Sequence, residues 1–352
     1  MSVGKLLMTE PLNITYVGNF LSRHGLNPTY SELLVPELRH SGYYVQSVSS
    51  FWNPFLRLGD VVKAILQTPR RRACVIIDLY SGPRAFHAAR VASALCSRLG
   101  KPYVLVLHGG TLPDRLKASR KALVAMLSRA ARIVSPSRYL AKSLAEVCEA
   151  EVIPNAINLV DYPFRERTSV EPKCFYLRAL HRNYRPLVAI EALAIASKRL
   201  PAALLRMAGP EMDNCRAECE QLITAHGLTR RVALLGRISK GEIQSEGRRA
   251  DIFINPTFVD NTPVSVVEAM AMGLCIISTN AGGLPYLLKD GRTALLVPPR
   301  DAGALADKIC QLVASPDLAR TLSRNARAEA EAMDWSCVLP RWNRIIESVC
   351  QS

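Results

Sequence analysis

The stretch NPTFVDNTPVSVVEAMAMGLCIISTNAGGLPYLLKDGRTALLV, residues 255–297, decides the fold. Within it, Thr262-Pro263 has the form of a helix N-cap followed by a proline at the first helical position. An apolar run that ends at Asn255 precedes this pair, so the pattern predicts a strand, a short loop and a helix that begins near Pro263. The free N–H groups and positive dipole end of such a helix favour an anion, which predicts a phosphate site at Thr262, Pro263 and Val264.

Two carboxylates flank this predicted phosphate site. Asp260 and Glu268 lie eight residues apart, on either side of Thr262-Pro263. A carboxylate accepts hydrogen bonds from vicinal hydroxyls, so a ligand that carries both phosphate and diols fits the pattern. We predict a nucleotide-sugar site in which Glu268 holds the ribose and Asp260 contacts the sugar.

Length and composition indicate a two-domain protein. The chain has 352 residues, of which 49% are hydrophobic, enough to bury two cores. Its apolar runs are too short for a transmembrane helix, and the first residues lack the features of a signal peptide. The 10 cysteines show no paired framework, which indicates a reducing compartment, and no second Cys/His pair completes a metal site. We expect a cytoplasmic protein without a bound metal.

The positive charge lies mostly in the first half of the chain. Residues 1–165 hold 21 Lys and Arg against 10 Asp and Glu, whereas residues 166–352 hold 24 against 20. Such an excess suggests an anionic membrane surface, a pyrophosphate-linked acceptor or nucleic acid as partner. Aromatic residues make up only 6% of the chain and do not interleave with the basic ones, so we do not expect nucleic acid to bind.

Two basic segments have two interpretations each. Helix 115–132 is predicted either to lie on anionic lipid or to be an ordinary helix with a solvated face; its basic residues are Arg115, Lys117, Arg120 and Lys121. The run Arg70-Arg71-Arg72 is predicted to be a loop, with a membrane contact as the alternative.

Short apolar strands alternate with helical patterns along both halves of the chain. This alternation predicts α/β domains with doubly wound parallel sheets, whose ligands bind at the carboxyl ends of the strands. We expect a first Rossmann-like domain over residues 1–160, a polar linker over 158–172, a second Rossmann-like domain over 172–332 and a C-terminal helix within 333–352.

The stretch around Asp260 resembles the retaining GT-B glycosyltransferases of family 4, or group 1, which include relatives of sucrose-phosphate synthase and glycogen synthase. Their signature is two glutamates eight residues apart, then Ala-Met-Ala-x-Gly, a strand and a Gly-Gly-x-Pro loop. Here Asp260 replaces the first glutamate, while Glu268, residues 269–273 (AMAMG) and residues 282–285 (GGLP) follow the signature. The resemblance implies a GT-B fold, with two Rossmann-like domains facing across a cleft and the C-terminal helix crossing back to the first domain.

The resemblance also implies roles for loops of the first domain. His108, at the end of the strand YVLVLH, would contact the donor sugar. The adjacent Gly109 and Gly110 favour close approach of the backbone. Gly18 and Asn19 begin a loop that would line the acceptor side.

In the second domain, the resemblance implies that Arg178 holds the donor diphosphate together with a second cation. The family has a lysine five residues beyond this arginine, where this chain has Asn183. Arg182 or Arg185 is left to supply the second charge, because a guanidinium also binds phosphate. The base would stack near a loop and bond to its backbone; this loop comprises Gly236, Arg237 and Ile238.

Taken together, the resemblance implies a hexosyltransferase that moves a sugar, with retention, from a nucleoside diphosphate to an acceptor hydroxyl. No Asp-x-Asp motif occurs, so we expect neither a metal nor any other cofactor beyond the donor itself. The basic first half favours a lipid-linked or polysaccharide acceptor and peripheral attachment to the inner face of a membrane. Two alternatives stay open: a nucleotide-sugar epimerase of the same fold, and a catalytically silent scaffold that binds a membrane or a protein.

Overall fold

The computed structural model describes residues 11–25, 28–109 and 111–351. The chain divides into two compact units, each built around one parallel sheet. Unit 1 runs to Pro154 and resumes at Val338, and unit 2 comprises Asn155–Cys337. None of the helices in the described ranges has the length and apolar character that crossing a bilayer requires.

The sheet of unit 1 has six parallel strands within the described residues. They are β1 Asn13–Val17, β2 Tyr44–Val48, β3 Ala73–Tyr80, β4 Tyr103–His108, β5 Arg132–Ser135 and β6 Glu151–Val152. Their order across the sheet is β2-β1-β3-β4-β5-β6. Strand β3 is buried along nearly its whole length, as expected for an apolar strand covered on both faces. The chain order reverses between β1 and β3, which makes a crevice at their carboxyl ends.

The helices of unit 1 follow the predicted alternation. They are α1 Tyr30–His40, α2 Pro54–Gln67, α3 Pro83–Leu99, α4 Asp114–Leu127 and α5 Arg138–Ser143. The side chain of Asn53 accepts hydrogen bonds from the first turn of α2, and Ser137 caps α5 in the same way. Side-chain caps of this kind fix where these helices begin.

Helix α4 differs from the basic helix that the sequence predicted. Its backbone leaves helical geometry at Ser119, with φ −150° and ψ 38°. Arg115 donates to the carbonyl oxygen of Ser81 at 2.6 and 2.8 Å, while Arg120 pairs with Glu146 at 2.7 Å. The helix predicted over residues 115–132 is therefore shorter and interrupted, and two of its arginines bind oxygen atoms of the protein.

The sheet of unit 2 is also fully parallel, but its strand order differs from that of unit 1. Within the described chain it has six parallel strands in the order β12-β11-β10-β7-β8-β9. They are β7 Lys173–Leu177, β8 Leu204–Ala208, β9 Val232–Gly236, β10 Ile252–Asn255, β11 Cys275–Thr279 and β12 Leu295–Val297. The chain order reverses between β7 and β10, which places a second crevice at their carboxyl ends. The prediction of two doubly wound parallel sheets is confirmed.

The helices of unit 2 include three that we did not predict. Its helices are α6 Pro186–Ala196, α7 Cys215–Ala225, α8 Lys240–Arg249, α9 Val264–Ala271, α10 Leu284–Leu287, α11 Ala302–Ala314 and α12 Pro316–Glu331. The three that we did not predict are α10, α11 and α12. Helices α11 and α12 lie between β12 and the C-terminal helix, and their buried apolar residues, such as Leu305 and Leu322, belong to the core of unit 2.

The last helix, α13, spans Trp335–Cys350. From Val338 onward its residues group with unit 1. Trp342 is fully buried, and its Nε1–H donates to the hydroxyl of Tyr30 in α1 at 3.2 Å. The helix is therefore a structural part of unit 1, although it follows unit 2 in the chain.

Segment 158–172, predicted as a polar linker, packs closely against unit 2. Arg167 within it is only 1% exposed. Its guanidinium donates to the carbonyl oxygens of Gly247 at 2.8 Å and Ala250 at 2.9 Å. A buried guanidinium is stable only where carbonyl and carboxylate oxygens surround it, so this segment packs as part of unit 2.

Candidate active site

Arg178 and Asp260 form an ion pair at the crevice of unit 2. Arg178 directly follows β7 and Asp260 lies in the loop after β10, the two strands between which the chain order reverses. The Arg178 guanidinium pairs with Oδ2 of Asp260, and the two side chains are only 18% and 15% exposed. The guanidinium also lies 4.0 Å from the ring centroid of Tyr184. We call Arg178, Tyr184 and Asp260 the Asp260 cluster.

The Asp260 carboxylate depends on its neighbours to stay ionised. Burial raises the pKa of this carboxyl, while the positive charge of Arg178 and the N–H of Asn261 act in the opposite direction. The Asn261 N–H donates to Oδ1 at 2.9 Å. Both carboxylate oxygens therefore have a donor before any ligand arrives.

Glycines hold the backbone around this cluster. The N–H of Gly283 donates to the carbonyl oxygen of Asp260 at 2.7 Å. A Cβ atom on Gly282 would lie 2.3 Å from that same oxygen, and one on Gly209 would lie 2.0 Å from the carbonyl oxygen of Arg178. No side chain fits these positions, so the Gly-Gly loop fixes where Asp260 lies.

The arginines after β7 point in different directions. Arg182 is 69% exposed and pairs with Glu218 of α7 at 3.1 Å, so the structure does not bring it to the Asp260 cluster. The guanidinium of Arg185 instead lies 5.4 Å from the ring centroid of Phe258, in the loop after β10. The carbonyl of Asn183 accepts a hydrogen bond from the Phe258 N–H at 2.7 Å, which fastens the two loops together.

Helix α9 begins one residue later than predicted. Pro263 is the N-cap, with ψ 124°, and the first helical residue is Val264. The expectation that Thr262 caps the helix is wrong, because the extended ψ of Pro263 places Thr262 one residue outside the cap. The predicted phosphate site at Thr262, Pro263 and Val264 still lies at the amino end of the helix. Ser265, in the first turn, is 8% exposed.

Glu268 lies on α9 beside a tyrosine from the segment before β7. The hydroxyl of Tyr162 donates to Oε1 of Glu268 at 2.5 Å. Nζ of Lys240 lies 5.6 Å from the Tyr162 ring centroid and pairs with Asp161 at 2.5 Å. Burial raises the pKa of Glu268, and the Tyr162 hydrogen bond and the charge of Lys240 oppose that rise. The carboxylate is thus positioned with a donor on one oxygen.

The predicted base-contacting loop follows β9. Gly236 has φ +69°, and its carbonyl accepts from the Gly209 N–H at 2.8 Å. Arg237 is exposed, whereas Ile238 packs against the buried cluster that includes Met270 of α9. This loop is therefore linked both to the glycine beside Arg178 and to the helix that carries Glu268.

Three buried donor atoms, in the loop after β7 and in the first turn of α9, lack a hydrogen-bond partner among the described residues. They are Nε of Arg178, Nε of Arg185 and Oγ of Ser265. Buried N–H and O–H groups in folded proteins almost always have a partner, and leaving one unpaired is costly. These atoms are unused donors for an anionic or hydroxyl-bearing ligand.

A second cluster of polar residues lies at the carboxyl ends of β3 and β4 in unit 1. Nε2 of His108 lies 3.0 Å from Oδ1 of Asp78, and the imidazole stacks on the Tyr80 ring at 4.6 Å with an interplanar angle of 17°. The hydroxyl of Tyr16 donates to the same Asp78 oxygen at 3.1 Å. We call Tyr16, Asp78, Tyr80 and His108 the Asp78 cluster.

Gly18 lies directly against Asp78. A Cβ atom on Gly18 would be 2.7 Å from Oδ2 of Asp78, which has no hydrogen-bond partner among the described residues. Burial, followed by the nearby charge of Asp78, raises the pKa values of Tyr16 and Tyr80. Both tyrosines therefore stay neutral hydroxyls in this cluster, and Gly18 is small because the carboxylate occupies the adjacent space.

A cavity of about 360 Å³ adjoins the Asp78 cluster. Its lining includes Gly18, Asn19, Arg57 and Tyr80. The Arg57 guanidinium donates to the side-chain oxygen of Asn19 and, at 3.0 Å, to the carbonyl oxygen of Gly18. Gly109, after β4, has φ +87°, a conformation that favours glycine. Gly110 lies outside the described residues.

Within the described ranges, no group of three or more His, Cys, Asp or Glu side chains is placed to hold one metal ion.

Two family models match the chain. One, described as glycosyl transferases group 1, matches residues 164–329, and the other, described as glycosyltransferase family 4, matches residues 26–161. The two matches cover both units and do not overlap. The chain belongs to the group 1, or family 4, glycosyltransferases.

Named relatives of this glycosyltransferase are distant. It is 25% identical to an uncharacterized glycosyltransferase of Methanocaldococcus jannaschii over 75% of this chain and 73% of that protein. It is 27% identical to the D-inositol 3-phosphate glycosyltransferase of Paenarthrobacter aurescens over 66% of this chain. The match spans 60% of that relative's own length.

Solved structures show the same fold. Anabaena HepE in complex with UDP and glucose aligns with a TM-score of 0.75 and 17% identity, over 96% of this chain and all of that one. Sucrose-phosphate synthase of Thermosynechococcus elongatus aligns with a TM-score of 0.73 and 19% identity, over 96% of this chain and 98% of that one. The glycosyltransferase has the GT-B fold that these likenesses and the two parallel sheets show.

Several residues that contact the candidate site residues of this glycosyltransferase were not predicted from the sequence. Tyr162 lies in the predicted linker, and its contact with Glu268 joins residues 106 positions apart. Arg57 lies in a helix that carried no motif. Asp78 was the most visible signal, because it is a charged residue inside the apolar strand CVIIDLY.

Proposed function

We propose that this glycosyltransferase takes its sugar from a nucleoside diphosphate donor held by unit 2. The observation that carries this proposal is the Asp260 cluster, in which the mostly buried Arg178 and Asp260 form an ion pair. The Nε–H of the same arginine has no acceptor among the described residues. The Anabaena structures with UDP and with UDP-glucose support a donor of this class.

The diphosphate would lie between the Arg178 guanidinium and the start of α9. Arg178 and Arg185 each supply an unused Nε–H, and Ser265 supplies an unused hydroxyl in the first turn of the helix. Charge-assisted hydrogen bonds and the helix dipole favour a phosphate there. Arg182 would serve the diphosphate only after leaving Glu218, so Arg185 is the stronger candidate for the second charge.

The two carboxylates would then hold the donor's hydroxyls. Tyr162 uses Oε1 of Glu268, which leaves the other oxygen for a ribose hydroxyl. Asp260 would accept from sugar hydroxyls while Arg178 keeps it ionised. The base would stack at Gly236, Arg237 and Ile238 and bond to their backbone.

Transfer would proceed with retention and without an enzyme nucleophile. The bond from the anomeric carbon to the diphosphate breaks as the acceptor oxygen bonds to the same face of that carbon. The acceptor's proton passes to the departing phosphate oxygen. Arg178 and the start of α9 stabilise the negative charge that develops on the diphosphate, so no metal is needed for this step.

Unit 1 would contribute His108 to the donor sugar and the loops around it to the acceptor. The contacts of His108 with Asp78 and Tyr80 fix the orientation of its imidazole. Gly18, Asn19 and Gly109 would line the acceptor side, next to the cavity beside Arg57. Together with the charge of the first half of the chain, this supports an anionic acceptor, either lipid-linked or a polysaccharide intermediate.

A donor screen tests this proposal. Thermal unfolding would be followed with UDP-, GDP-, ADP- and dTDP-sugars, with and without EDTA. We expect one base to raise the melting temperature, and sugar transfer from that donor to persist in EDTA. Failure of every nucleotide sugar to stabilise the protein would contradict a donor site. Activity lost in EDTA and restored by magnesium or manganese would contradict the metal-free mechanism.

A further inference from the structure

Unit 1 exposes a concentrated group of large apolar side chains just before and at the start of α2. Phe51 is 41% exposed, Trp52 65%, Phe55 85% and Leu56 58%. We call these four residues the aromatic patch. Single exposed apolar residues are common on soluble proteins, but four within six positions concentrate apolar surface in one place, which marks an interaction site.

The local structure keeps these side chains at the surface. The Asn53 side chain accepts from the N–H groups of Phe55 at 2.9 Å and Leu56 at 3.3 Å, which fixes the first turn of α2. The buried side of the helix is formed further along, by Val61, Ala64 and Ile65. The first turn therefore projects beyond the core, and its apolar residues have no core to enter.

Two arginines, Arg23 and Arg57, lie beside the aromatic patch, and Asp60 follows one turn further along α2. The segment SFWNPFLRLG, residues 50–59, contains one arginine and no acid. Arg23 donates to the carbonyl oxygen of Ser50 at 2.7 Å, which places a second guanidinium beside the patch. Exposed aromatic rings next to arginines suit the interface of an anionic membrane, where rings enter the head-group region and cations meet lipid phosphates.

The aromatic patch is continuous with the cavity beside the Asp78 cluster. Trp52, Pro54 and Arg57 line that cavity together with Gly18 and Asn19. Arg84, which is exposed, also lines it. A surface that contacts Trp52 therefore lies at the mouth of the predicted acceptor site.

The basic helix considered from the sequence is a weaker candidate for the same role. The apolar residues Leu123, Met126 and Leu127 of α4 are buried in unit 1. No large apolar side chain of α4 is exposed in the described structure. Cations without an apolar surface give only salt-sensitive attraction.

We infer that the aromatic patch seats unit 1 on an anionic membrane surface, with its rings in the head-group region and the acceptor cavity facing the lipids. For the acceptor, the inference rests on the proposed glycosyltransferase function and names its class: a lipid-linked hydroxyl delivered from the membrane, rather than a soluble glycan.

Quenching of Trp52 by brominated lipids tests the inference. Of the three tryptophans, Trp342 is fully buried and Trp335 is half-buried, so Trp52 dominates contact with added lipid. Vesicles of phosphatidylcholine with phosphatidylglycerol, brominated on the acyl chains, should quench the full-length protein. Neutral vesicles should quench it far less.

Matched variants distinguish the effect of the aromatic patch on lipid binding from the effects of other exposed apolar residues and of positive charge. Phe55→Ser with Leu56→Ser should weaken vesicle partitioning at least about tenfold, because both side chains lose apolar contact with lipid. Leu33→Ser with Leu66→Ser removes two other leucines of unit 1, 47% and 56% exposed, and should leave partitioning within about twofold. Arg70→Glu with Arg71→Glu, away from the patch, should weaken binding less than the patch variant does.

The outcomes are distinct. Absence of quenching in anionic vesicles, equal loss in the patch and leucine variants, or dimerisation through the patch without lipid quenching would overturn the inference. Donor binding measured on the same patch variant should match the wild type. If no nucleotide sugar binds while patch-dependent quenching persists, the proposed function fails and the membrane contact stands. If a nucleotide sugar binds but anionic vesicles do not quench Trp52, the membrane contact fails and the proposed function stands.

Discussion

Arg178 and Asp260 stabilise each other's charge in a mostly buried ion pair. Asp260 is mostly buried, and burial alone would push its carboxyl toward the neutral form. Arg178 supplies the opposing charge, and stacking on Tyr184 holds the guanidinium in place. The pair is therefore assembled before a donor binds, which reduces the ordering that the donor must bring about.

Arg178→Ala should cost about 1–3 kcal/mol of unfolding free energy at pH 7.5, because it leaves a mostly buried carboxylate without its cation. Without Arg178 the pKa of Asp260 rises further, so the folded variant binds its proton more tightly than the unfolded chain. Stability then falls as pH rises through that raised pKa. The cost relative to wild type should thus be smaller at pH 4.5 than at pH 7.5, which urea unfolding at the two pH values measures.

Arg182→Ala is the matched control. Arg182 is exposed and its ion pair with Glu218 is solvent-screened, so its removal should change stability by less than about 1 kcal/mol at either pH. Equal costs for the two arginines, or a cost for Arg178→Ala that does not vary with pH, would contradict the account of the Asp260 cluster.

At this scale, the sequence predicted residues whose roles follow from local pattern. Asp260 and Glu268 flank a helix start, and Arg178 ends a strand. The partners of these residues were not predictable, because Tyr162, Tyr184 and Lys240 meet them only through the fold. Arg182 and Arg185 illustrate the limit: spacing leaves both open, whereas the left-handed backbone of Arg185, with φ 50°, turns it toward Phe258.

At the scale of elements, the loop that begins α10 controls the loop after β10. Gly282 and Gly283 lie so close to Asp260 and Asn261 that added Cβ atoms would meet backbone oxygens at 2.3 and 2.1 Å. Backbone oxygens cannot move aside as flexible side chains do. The Gly-Gly loop therefore fixes the backbone position of the loop after β10, which we call the acidic loop because it carries Asp260.

Gly282→Ala and Gly291→Ala form a matched pair that tests the contact between the Gly-Gly loop and the acidic loop. Both glycines have left-handed φ, +59° and +68°, so alanine costs each about 1–2 kcal/mol of backbone strain. A Cβ on Gly291 meets nothing within 4 Å. Gly282→Ala should cost about 1–3 kcal/mol more in urea unfolding, because the acidic loop must shift, and it should also weaken donor binding. Similar stability and donor binding in the two variants would show that the loop contact does not position Asp260.

The alternation of strands and helices was predictable because apolar runs and turn residues are local signals. The exceptions have physical causes. The start of α9 moved because Pro263 adopts an extended ψ, and α4 breaks at Ser119 although its residues favour a helix. Segment 158–172 looked like a linker because it is polar, but the carbonyl oxygens that receive Arg167 belong to residues about 80 positions away.

At the scale of the whole molecule, each unit has its own core, and the last helix completes the first unit. Residues from Val338 onward group with unit 1, and Trp342 is its largest fully buried side chain in α13. The packing of unit 1 thus depends on residues that follow unit 2 in the sequence.

Trp342→Ala should destabilise unit 1 selectively. Removing a fully buried tryptophan costs about 3–5 kcal/mol, and it also removes the hydrogen bond to Tyr30. Hydrogen exchange should speed up in β1 and α1 and stay unchanged in β10 and β11. Equal acceleration in both units would contradict the assignment of α13 to unit 1.

Glu268 is the proposed ribose ligand of the nucleotide-sugar site. Burial raises the pKa of this carboxyl in the folded protein. The folded protein without donor therefore becomes less stable as pH rises through that pKa and the carboxyl ionises. A glutamine at this position still accepts the Tyr162 hydrogen bond. Glu268→Gln should therefore be at least as stable as the wild type at pH 7.5, which separates any binding defect from misfolding.

Calorimetric titration of the wild type and Glu268→Gln tests this claim most directly, with the nucleoside diphosphate selected by the donor screen and with its 2′,3′-dideoxy analogue. The wild type should prefer the ribose form by about 1.5–3 kcal/mol, the value of a charge-assisted hydrogen bond. Glu268→Gln should lose most of that preference while binding the dideoxy form as the wild type does. A wild type that binds both forms equally, or a variant that keeps the full preference, would contradict the account.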